Sequence, residues 1–510
     1  MRVKKAGAAT MIPPLLQDKL DNLKADMFSK PLLGVTFSTS KSEYYYDTVS
    51  SEIIRTSPFM KSLIEALLRK TKASRLRALT EVARKHSEEK VLKGLKAIID
   101  KQQNDNILKQ FSGDFELSLN HQYQNRRANL SSMVLEITQK CNFRCSYCMY
   151  GDNYSNKRKH SKISMKKDVA LQAIKYFLDN CGSENPIITF FGGEPFLFPN
   201  LIEECMEYAR GINPDTKFTI TTNGYLLKPP HFDFIRKFQA RVSISFDGPK
   251  AIHNSHRILS GGGETFDTIM KNIKDLFYID ADYVKENFML FLTLTDIENL
   301  GKLSLFLGEN QILNELPVSI NKITIRGLKE NVNEFMRTLP GDTYLNKLVN
   351  EYIDSYQGDK KKLVKAHNAY FFPQIKLVSV RFPIEKSYNL CKVCTIGDKR
   401  LFVDVNGDFR VCEKSHDLPI IGDINQGLNW DAVDRMKHEF LSTTNPCKQC
   451  WAVGLCNVCW VDIYDNNGQV NKNLKEDICK IRLAEYSIAL RVFMELTELL
   501  GDNIFPKASS

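Results

Sequence analysis

Residues 130–330 alternate between short apolar segments and longer segments in which apolar positions recur with a helical period. The apolar segments predict six strands at 133–137, 187–191, 218–222, 242–246, 288–294 and 323–326. The segments between them predict helices at 166–179, 201–210, 232–238, 266–278 and 300–307. Because strand and helix alternate, the pattern predicts an α/β fold with a parallel sheet and helices outside it. We expect a partial (β/α)6 TIM-like barrel, because the polar motifs described below follow the carboxyl ends of strands.

Residues 1–125 form a separate amphipathic block that predicts a small N-terminal α+β domain. A short strand is predicted at 44–47, and helices are predicted at 51–68, 73–86 and 88–102. The alternative interpretation is a helical cap on the central domain.

The last third of the chain has three parts with different patterns. Residues 331–385 are polar and partly helical, as in a connector. Residues 386–480 are rich in Cys, Gly and Asn and show little regular periodicity, so we expect bound metal to organise them. Residues 481–500 predict an amphipathic helix that begins a C-terminal segment, 481–510.

Composition limits the classes of protein to consider. A chain of 510 residues predicts several domains, and its 43% hydrophobic and 25% charged residues are ordinary for a globular protein. No apolar run approaches the roughly 20 residues of a membrane span, and no signal peptide is recognisable, so we expect a cytoplasmic protein. The net charge of +10 is spread along the chain without a nucleic-acid-binding motif. It indicates either a solvated surface or attraction to an acidic partner such as a peptide.

Thirteen cysteines are many for a cytoplasmic protein, and they are clustered. Three lie within 141–148 and eight within 391–479. Without an export signal, metal binding is favoured over a disulfide framework. Cys181 and Cys205 stand alone in helical patterns, and we expect them to be small buried hydrophobic residues.

The three cysteines Cys141, Cys145 and Cys148 form a compact loop, called here the cysteine loop, residues 141–148. Four thiolates would close a tetrahedral zinc site. Three thiolates hold three corners of a 4Fe–4S cluster and leave one iron open to a ligand. The residues alone leave both a cluster with an open iron and a structural metal site as interpretations.

The spacing Cys141-x3-Cys145-x2-Cys148, directly after the first predicted strand, resembles the signature of the radical S-adenosylmethionine (SAM) enzymes. The resemblance implies that these thiolates hold the 4Fe–4S cluster that binds SAM, and that Tyr147 lies near the adenine. Gly192, Gly193, Glu194 and Pro195 follow the second strand, where the family binds the amino group of SAM.

Two further motifs extend the resemblance. Thr221, Thr222, Asn223 and Gly224 end the third strand, where the family often has residues lining the barrel mouth, although an Asn-Gly turn is an equally simple interpretation. After the fourth strand, the resemblance implies SAM contacts from three residues: Ser245, Asp247 and Arg257. Ser245 and Asp247 would contact the ribose or carboxylate, and the Arg257 guanidinium would pair with the carboxylate. The nearby His253 is expected to be a structural hydrogen-bonding residue.

The distal cysteines resemble a SPASM domain, a C-terminal extension of radical SAM enzymes that holds two auxiliary 4Fe–4S clusters. Mapped by order, the first auxiliary set is Cys391, Cys394, Cys412 and Cys459. The second auxiliary set is Cys447, Cys450, Cys456 and Cys479. The alternative is one or two zinc ribbons.

Two spacings differ from the SPASM pattern. Cys456 and Cys459 are separated by two residues where the family usually has three, and Cys391 lies closer than usual to Cys394. If both Cys391 and Cys394 are ligands, the first auxiliary cluster is saturated. If only one is a ligand, an iron stays open for a substrate thiolate.

The resemblance implies three 4Fe–4S clusters, SAM as cofactor, and a 5′-deoxyadenosyl radical that abstracts hydrogen from an unactivated carbon. SPASM enzymes mostly modify peptides, so the leading hypothesis is maturation of a ribosomally made precursor peptide by a sactionine-type thioether or another side-chain crosslink. The N-terminal domain would bind the leader peptide by strand addition. A flavodoxin or ferredoxin would supply electrons, and no nucleic-acid partner is expected.

Two alternatives are kept, one enzymatic and one from a different functional class. One is oxidation of a protein Cys or Ser to formylglycine, as in anaerobic sulfatase maturation. The other is a non-enzymatic iron–sulfur scaffold that binds a peptide. No general base is assigned from the sequence.

Overall fold

A computed structural model of the chain describes residues 30–111, 115–118, 129–155, 158–323, 326, 328–329, 342–356, 365–385, 387–390, 392–465 and 467–501. The strands are β1 (Gly34–Ser38), β2 (Glu43–Asp47), β3 (Glu52–Thr56), β4 (Glu116–Ser118), β5 (Ser132–Thr138), β6 (Ile187–Gly192), β7 (Lys217–Thr222), β8 (Arg241–Ser245), β9 (Phe288–Leu294), β10 (Val318–Lys322), β11 (Ser387–Asn389), β12 (Arg400–Val403), β13 (Phe409–Arg410), β14 (Gly422–Asp423) and β15 (Gly427–Leu428). The helices are α1 (Pro58–Leu67), α2 (Lys72–His86), α3 (Glu88–Asn104), α4 (Lys167–Asp179), α5 (Pro199–Ile212), α6 (Pro229–Lys237), α7 (Lys250–His256), α8 (Phe266–Ile279), α9 (Ala281–Asn287), α10 (Leu300–Glu309), α11 (Asp342–Asp354), α12 (Lys365–Ser379), α13 (Trp430–Ser442) and α14 (Lys472–Leu500).

The central sheet has eight strands in the order β10-β9-β8-β7-β6-β5-β12-β13. Strands β5 to β10 are parallel, and neighbours along the chain are neighbours in the sheet. A doubly wound sheet reverses its strand order at a switch point, and this order does not reverse. The central α/β region with a parallel sheet is therefore confirmed, and its strand order is that of a partial barrel.

Five of the six predicted central strands are confirmed within one or two residues, and the sixth, 323–326, includes residues that lie outside the described part of the chain. The last parallel strand is β10, and it pairs with β9 through Val318↔Leu290 to Lys322↔Leu294. The predicted strand at 323–326 was favoured by two isoleucines separated by one residue, a stronger local β signal than the sequence of β10. Arg326 instead forms a buried ion pair with Asp417, at 2.8 Å, in the cysteine-rich segment.

Residues 34–104 form a three-stranded antiparallel sheet, in the order β1-β2-β3, and three helices. The prediction of one helix over 51–68 is wrong at its start, because β3 precedes α1. Ile53 and Ile54 favour a strand, whereas the Ser57 hydroxyl caps α1 and Pro58 occupies its first turn. The predicted short strand at 44–47 is confirmed as part of β2.

Both faces of this N-terminal sheet are covered. Tyr45 belongs to the apolar core shared with α1, α2 and α3. Tyr46, whose side chain points the other way along the strand, packs with Leu455 and Leu490. Its ring also meets the ring of Trp451 edge-on, with centroids 6.4 Å apart. The central strand of the N-terminal sheet is therefore packed directly onto the cysteine-rich segment.

The cysteine-rich segment also joins the central sheet. Strand β12 pairs in parallel with β5, from Arg400↔Ser132 to Val403↔Leu135, and β13 then pairs with β12. The terminal helix α14 begins at Lys472, earlier than the predicted residue 481, because Asn471 caps its amino end through the backbone N–H of Leu474. In the described residues, no helix is long and apolar enough to cross a membrane.

Candidate active site

The cysteine loop follows the carboxyl end of β5 and is fixed by backbone hydrogen bonds to the chain after α7. Arg144 N–H donates to the Ile258 carbonyl at 2.8 Å, and Ser146 N–H donates to the His256 carbonyl at 3.0 Å. Phe143 is buried, and its ring meets that of Tyr225 edge-on at 5.7 Å. The loop is therefore held in shape by the protein itself.

The three thiols of this loop lie close enough to influence one another's protonation. Burial raises the pKa of Cys141 to about 12, with further increases from the Glu194, Cys145 and Cys148 charges. Burial also raises the pKa of Cys145, to about 11. A cation is needed to hold such thiols as thiolates, and a metal ligand must be deprotonated. The donor set thus fits a metal cluster with three protein ligands.

Two glycines at the end of β6 allow the next turn to lie directly against the start of the cysteine loop. Gly193 N–H donates to the Thr138 carbonyl at 2.7 Å, and a Cβ added to Gly193 would lie 1.9 Å from the Lys140 carbonyl oxygen. Gly192 has a φ of +142°, and its added Cβ would lie 2.3 Å from the Thr138 carbonyl oxygen. The glycines are required by this backbone contact.

The Glu194 carboxylate is fully buried and fixed by three hydrogen bonds. Its Oε1 accepts from Phe196 N–H at 3.0 Å and from the Thr222 hydroxyl at 2.7 Å, and its Oε2 accepts from Asn223 N–H at 2.7 Å. Burial raises its pKa despite these bonds. The Asn223 side-chain amide also donates to Asn142 Oδ1 in the cysteine loop, at 2.7 Å. The motif that ends β7 therefore positions Glu194 and ties it to the loop.

Tyr147, Asp247 and Arg257 form one buried polar network. The Tyr147 hydroxyl donates to Asp247 Oδ2, and Arg257 Nη1 donates to the Tyr147 hydroxyl at 2.6 Å. Arg257 Nη1 also lies 4.0 Å from Asp247 Oδ2. The other carboxylate oxygen, Oδ1, accepts from Thr293 N–H at the end of β9 at 3.0 Å. The structure therefore brings together three of the predicted SAM-contacting residues.

His253 supports this network through its two ring nitrogens. Asp247 N–H donates to His253 Nδ1 at 3.3 Å, so Nε2 carries the proton and donates to the Thr265 hydroxyl at 3.1 Å. That hydroxyl donates to the Arg257 carbonyl at 2.6 Å. Burial, followed by the Arg257 charge, lowers the pKa of His253 to about 3. His253 is neutral and structural, as the sequence predicts.

Two unfilled hydrogen-bonding positions fit an amino acid's charged groups. Glu194 Oε2 accepts one hydrogen bond, which leaves one acceptor site for an ammonium. Within the described part of the chain, Arg257 Nε is buried and has no hydrogen-bond partner, which suits a carboxylate. Ser245, at the end of β8, is half-buried two residues before Asp247. The donor and acceptor set therefore fits the methionine part of SAM.

Sequence reasoning missed a buried group that joins the cysteine loop to the cysteine-rich segment. Glu136 lies inside β5 and pairs with Arg158 at 2.6 Å, and the Arg158 guanidinium stacks 3.4 Å from the Tyr150 ring centroid. The Tyr150 hydroxyl donates to the Glu413 carbonyl at 2.7 Å. His160 Nε2 lies 3.6 Å from Cys148 Sγ. The sequence signal that could have indicated this buried group is Glu136, a charged residue within the apolar sequence of β5.

The second auxiliary set converges in the structure. Burial raises the pKa of Cys450 to about 12, and the charges of Cys456, Cys447 and Cys479 raise it further. Cys456 is likewise influenced by Cys447 and Cys479. All four thiols are free. Among the described residues, no three His, Cys, Asp or Glu side chains are grouped to hold a single metal ion.

The first auxiliary set is brought together only in part. Burial raises the pKa of Cys412, and the Glu413 and Cys459 charges raise it further, so Cys412 and Cys459 are neighbours. Cys394 is exposed. Cys391 lies outside the described residues. Of the two isolated cysteines, Cys205 is fully buried, as predicted, whereas Cys181 is half-buried and donates to the Leu130 carbonyl at 3.0 Å.

Comparison with known proteins gives a family match over this site. Residues 135–301 match the model of the radical SAM superfamily. The chain is 23% identical over 368 residues to the radical SAM cyclopropyl synthase TigE of Paramaledivibacter caminithermalis, covering 68% of this chain and 72% of TigE. It is 30% identical over 159 residues to the cysteine-type anaerobic sulfatase-maturating enzyme of Clostridium novyi, covering 30% of this chain and 42% of that enzyme.

Solved structures show the same fold. A structure of anSMEcpe with bound AdoMet matches with a TM-score of 0.55 and 20% identity, covering 73% of this chain and 96% of that chain. A second structure of anSMEcpe, with AdoMet and the Cp18Cys peptide, matches with a TM-score of 0.53 and 19% identity, covering 72% of this chain and 99% of that one. Proteins of the matched superfamily use a 4Fe–4S cluster and SAM.

Replacing Gly193 by alanine tests the backbone contact beneath the cysteine loop. The new Cβ would lie 1.9 Å from the Lys140 carbonyl oxygen, so the loop must move. We expect Gly193→Ala to lose most of its SAM binding and part of its iron, measured by equilibrium binding and iron analysis of the anaerobic protein. The control is Gly211→Ala on α5, where an added Cβ meets nothing within 4 Å. Equal SAM binding in the two variants would contradict this role.

The lowered pKa of His253 predicts a pH-dependent contribution to stability. The folded state disfavours the protonated ring, so the contribution is complete above the unfolded pKa of about 6.5 and is lost as pH falls toward 3. We expect the stability advantage of the wild-type apo-protein over His253→Gln to shrink by about 2 kcal/mol between pH 8 and pH 5. The measurement is the difference between thermal midpoints. The control is His438→Gln at an exposed histidine, which should leave the dependence of the thermal midpoint on pH unchanged. A difference in thermal midpoint between wild type and His253→Gln that does not vary with pH would be inconsistent with a buried neutral ring.

Proposed function

We propose that this chain, an enzyme of the radical SAM superfamily, modifies a peptide by abstracting hydrogen from one of its residues. The product would be a sactionine-type thioether or another side-chain crosslink in a ribosomally made precursor. The similarity to TigE, a radical SAM cyclopropyl synthase, and to sulfatase-maturating enzymes supports a reaction at an unactivated carbon. The crosslink itself rests on the resemblance of the sequence motifs.

The observation that carries the proposal is the buried network beside the cysteine loop. Tyr147, a residue of the loop itself, is bonded to both Asp247 and Arg257. Glu194 is tied to the same loop through the Asn223–Asn142 hydrogen bond. One acidic and one basic group are therefore fixed next to three half-buried cysteines, which is the arrangement needed to hold an amino acid at a metal cluster.

Each residue of the network has a distinct part in this proposal. Cys141, Cys145 and Cys148 hold the 4Fe–4S cluster. Glu194 Oε2 accepts from the ammonium of SAM, and the Arg257 guanidinium pairs with its carboxylate. When bound, the cluster and SAM supply a 5′-deoxyadenosyl radical.

Several groups at this site also complete the SAM-binding proposal. Ser245 and Asp247 contact the ribose or carboxylate, and Tyr147 lies beside the adenine. The glycine pair at Gly192 and Gly193 sets the turn that carries Glu194.

The cysteine-rich segment is proposed to be a SPASM domain with two auxiliary 4Fe–4S clusters. The convergence of four free thiols in the second auxiliary set supports this assignment. The neighbouring positions of Cys412 and Cys459 support part of the first auxiliary set. The auxiliary clusters would accept the electron left after the crosslink forms, or bind the substrate. A flavodoxin or ferredoxin would supply electrons, and the protein would act in the cytoplasm.

The precursor's leader peptide is proposed to bind the edge strand β3. Among the described strands, β3 pairs with β2 and with no other strand. Glu52 and Arg55 are exposed on it. A free strand edge offers backbone groups to an incoming extended peptide. The bound peptide in the structure of anSMEcpe, whose fold is similar, supports a peptide substrate.

Formylglycine formation on a protein Cys or Ser is the second candidate. The 30% identity to the cysteine-type sulfatase-maturating enzyme favours it, although the match covers 42% of that enzyme. The match to the radical SAM superfamily favours an enzyme over the hypothesis of a non-enzymatic scaffold. The substrate separates the two remaining candidates, because a crosslink removes two hydrogens from a peptide whereas formylglycine introduces an aldehyde.

The function is tested by anaerobic reconstitution with SAM, a strong reductant and the precursor peptide encoded beside this gene. We expect 5′-deoxyadenosine and a peptide that has lost two hydrogens per crosslink. Iron analysis should give about twelve irons, or three 4Fe–4S clusters. A Cys145→Ala variant should form no 5′-deoxyadenosine, whereas Cys205→Ala, in the apolar core, should keep cluster-dependent cleavage. An unmodified peptide, or an aldehyde on a sulfatase-like substrate, would refute the crosslinking proposal.

Hydrogen exchange tests the peptide-binding edge without a mutation. Leader binding along β3 should protect the backbone amides of Glu52–Thr56 in the intact protein. The control is β10, an edge strand of the central sheet, whose amides at Val318–Lys322 should exchange equally with and without peptide. Protection of β10 alone, or of neither strand, would place the peptide elsewhere.

A further inference from the structure

Lys475 is a buried lysine on the first turn of α14 with a cysteine as one of its partners. Only 7% of it is exposed. Its ammonium donates to the Thr443 carbonyl at 2.5 Å and to the Thr443 hydroxyl at 2.9 Å. It also donates to Cys447 Sγ at 3.5 Å. Lys475 lies one helical turn before Cys479, so both belong to one face of α14.

The charge of this lysine is not neutralised by a carboxylate. Within the parts of the chain that the structure describes, Lys475 takes part in no salt bridge. The ring of Phe440 also lies near, with the ammonium 5.9 Å from its centroid. A buried ammonium is costly unless it is paired with negative charge. Four thiolates around a cluster would supply that charge.

All three groups of candidate ligands have basic residues nearby, such as Arg257 near Cys145 and Lys414 near Cys459, but they differ in the donors that bond directly to sulfur. Cys141 Sγ accepts from the backbone N–H of Phe143 at 3.4 Å, and Cys148 Sγ lies 3.6 Å from an imidazole nitrogen of His160. Among the described hydrogen bonds to cysteine sulfur, the bond from Lys475 to Cys447 is the one that comes from an ammonium. The second auxiliary set therefore has a positive charge in direct contact with a ligand.

We propose that Lys475 raises the reduction potential of the cluster held by the second auxiliary set, and thereby makes that cluster the preferred electron acceptor. The proposal rests on the assignment of that cluster under the proposed function. Taking up one electron adds one negative charge to the cluster, with no bond formed or broken. A hydrogen-bonded cation in a buried site stabilises that added charge, and hydrogen bonds to sulfur and local charge both set cluster potentials. In the proposed reaction the electron comes from the substrate radical as the crosslink forms.

The test is a redox titration of the intact, iron-loaded protein followed by electron paramagnetic resonance. Lys475→Gln keeps a hydrogen-bond donor but removes the charge, and Lys475→Arg keeps the charge. We expect Lys475→Gln to lower the reduced-to-oxidised ratio of one cluster at least tenfold at fixed potential, which is 59 mV for one electron. Lys475→Arg should stay close to the wild type. The control is Lys480→Gln, on the same helix with 67% of its side chain exposed, which should shift no transition.

The outcomes separate this inference from the proposed function. A fully loaded Lys475→Gln protein with unchanged potentials overturns the inference and leaves the three clusters standing. A wild-type iron content of about four overturns the auxiliary clusters, and the inference falls with them. If Lys475→Gln does not bind iron, the contact is tested instead on the wild-type protein labelled with ¹⁵N-lysine. A hyperfine coupling between ¹⁵N and a reduced cluster supports the contact if the coupling is retained in Lys480→Gln. Absence of this coupling overturns the inference.

Discussion

Strand β5 pairs with β6 on one side and with β12 on the other, and the candidate active site depends on this double pairing. The hydrogen bonds from Ser131 to Lys399 that extend the second pairing join residues 268 positions apart. The cysteine loop leaves the carboxyl end of β5, while β12 and β13 lead from Cys394 to Cys412. One sheet therefore fixes the position of the cysteine loop relative to Cys394 and Cys412, which belong to the first auxiliary set.

Buried polar groups reinforce the pairing at the level of side chains. Glu136 in β5 binds Arg158, and Arg158 stacks on Tyr150, whose hydroxyl reaches the residue after Cys412. Breaking a buried ion pair of this kind leaves an uncompensated charge, which typically costs 3–5 kcal/mol. The same residues that stabilise the fold thus determine how the cysteine loop faces the cysteine-rich segment.

The sequence predicts the central sheet well because fully buried parallel strands are nearly continuous apolar runs, separated by helices of recognisable period. It misses β10 because Val318–Lys322 carries a weaker local signal than the isoleucines at 323 and 325, and its pairing with β9 is a long-range contact. It misses β3 because Ile53 and Ile54 also fit the periodicity of the following helix. The parallel pairing of β12 with β5 has no local signature, since it joins two distant parts of the chain.

The candidate site shows the same division between local and long-range information. The family resemblance selects the cysteine loop, Glu194 and Asp247 as candidates after strand ends, and Arg257 as a candidate at the end of α7. Spacing does not reveal that Gly193 is required by the Lys140 backbone, or that His253 links Asp247 to Thr265. These supporting contacts depend on which strand ends are adjacent, so they follow from the fold. They hold the polar groups in position before any ligand arrives, so less ordering is required on binding.

The N-terminal sheet connects the proposed peptide edge to the second auxiliary set. Tyr46 of β2 packs against Trp451 and Leu455, which lie between Cys450 and Cys456. The hydroxyl of Thr48 donates to the Trp451 carbonyl at 2.5 Å. Strand β3, the free edge, is the immediate neighbour of β2. A peptide added to β3 would therefore be separated by one strand from the loop that carries two of the converging thiols. Because packed interiors transmit small displacements, we expect ordering of that edge to restrain the loop at 450–456.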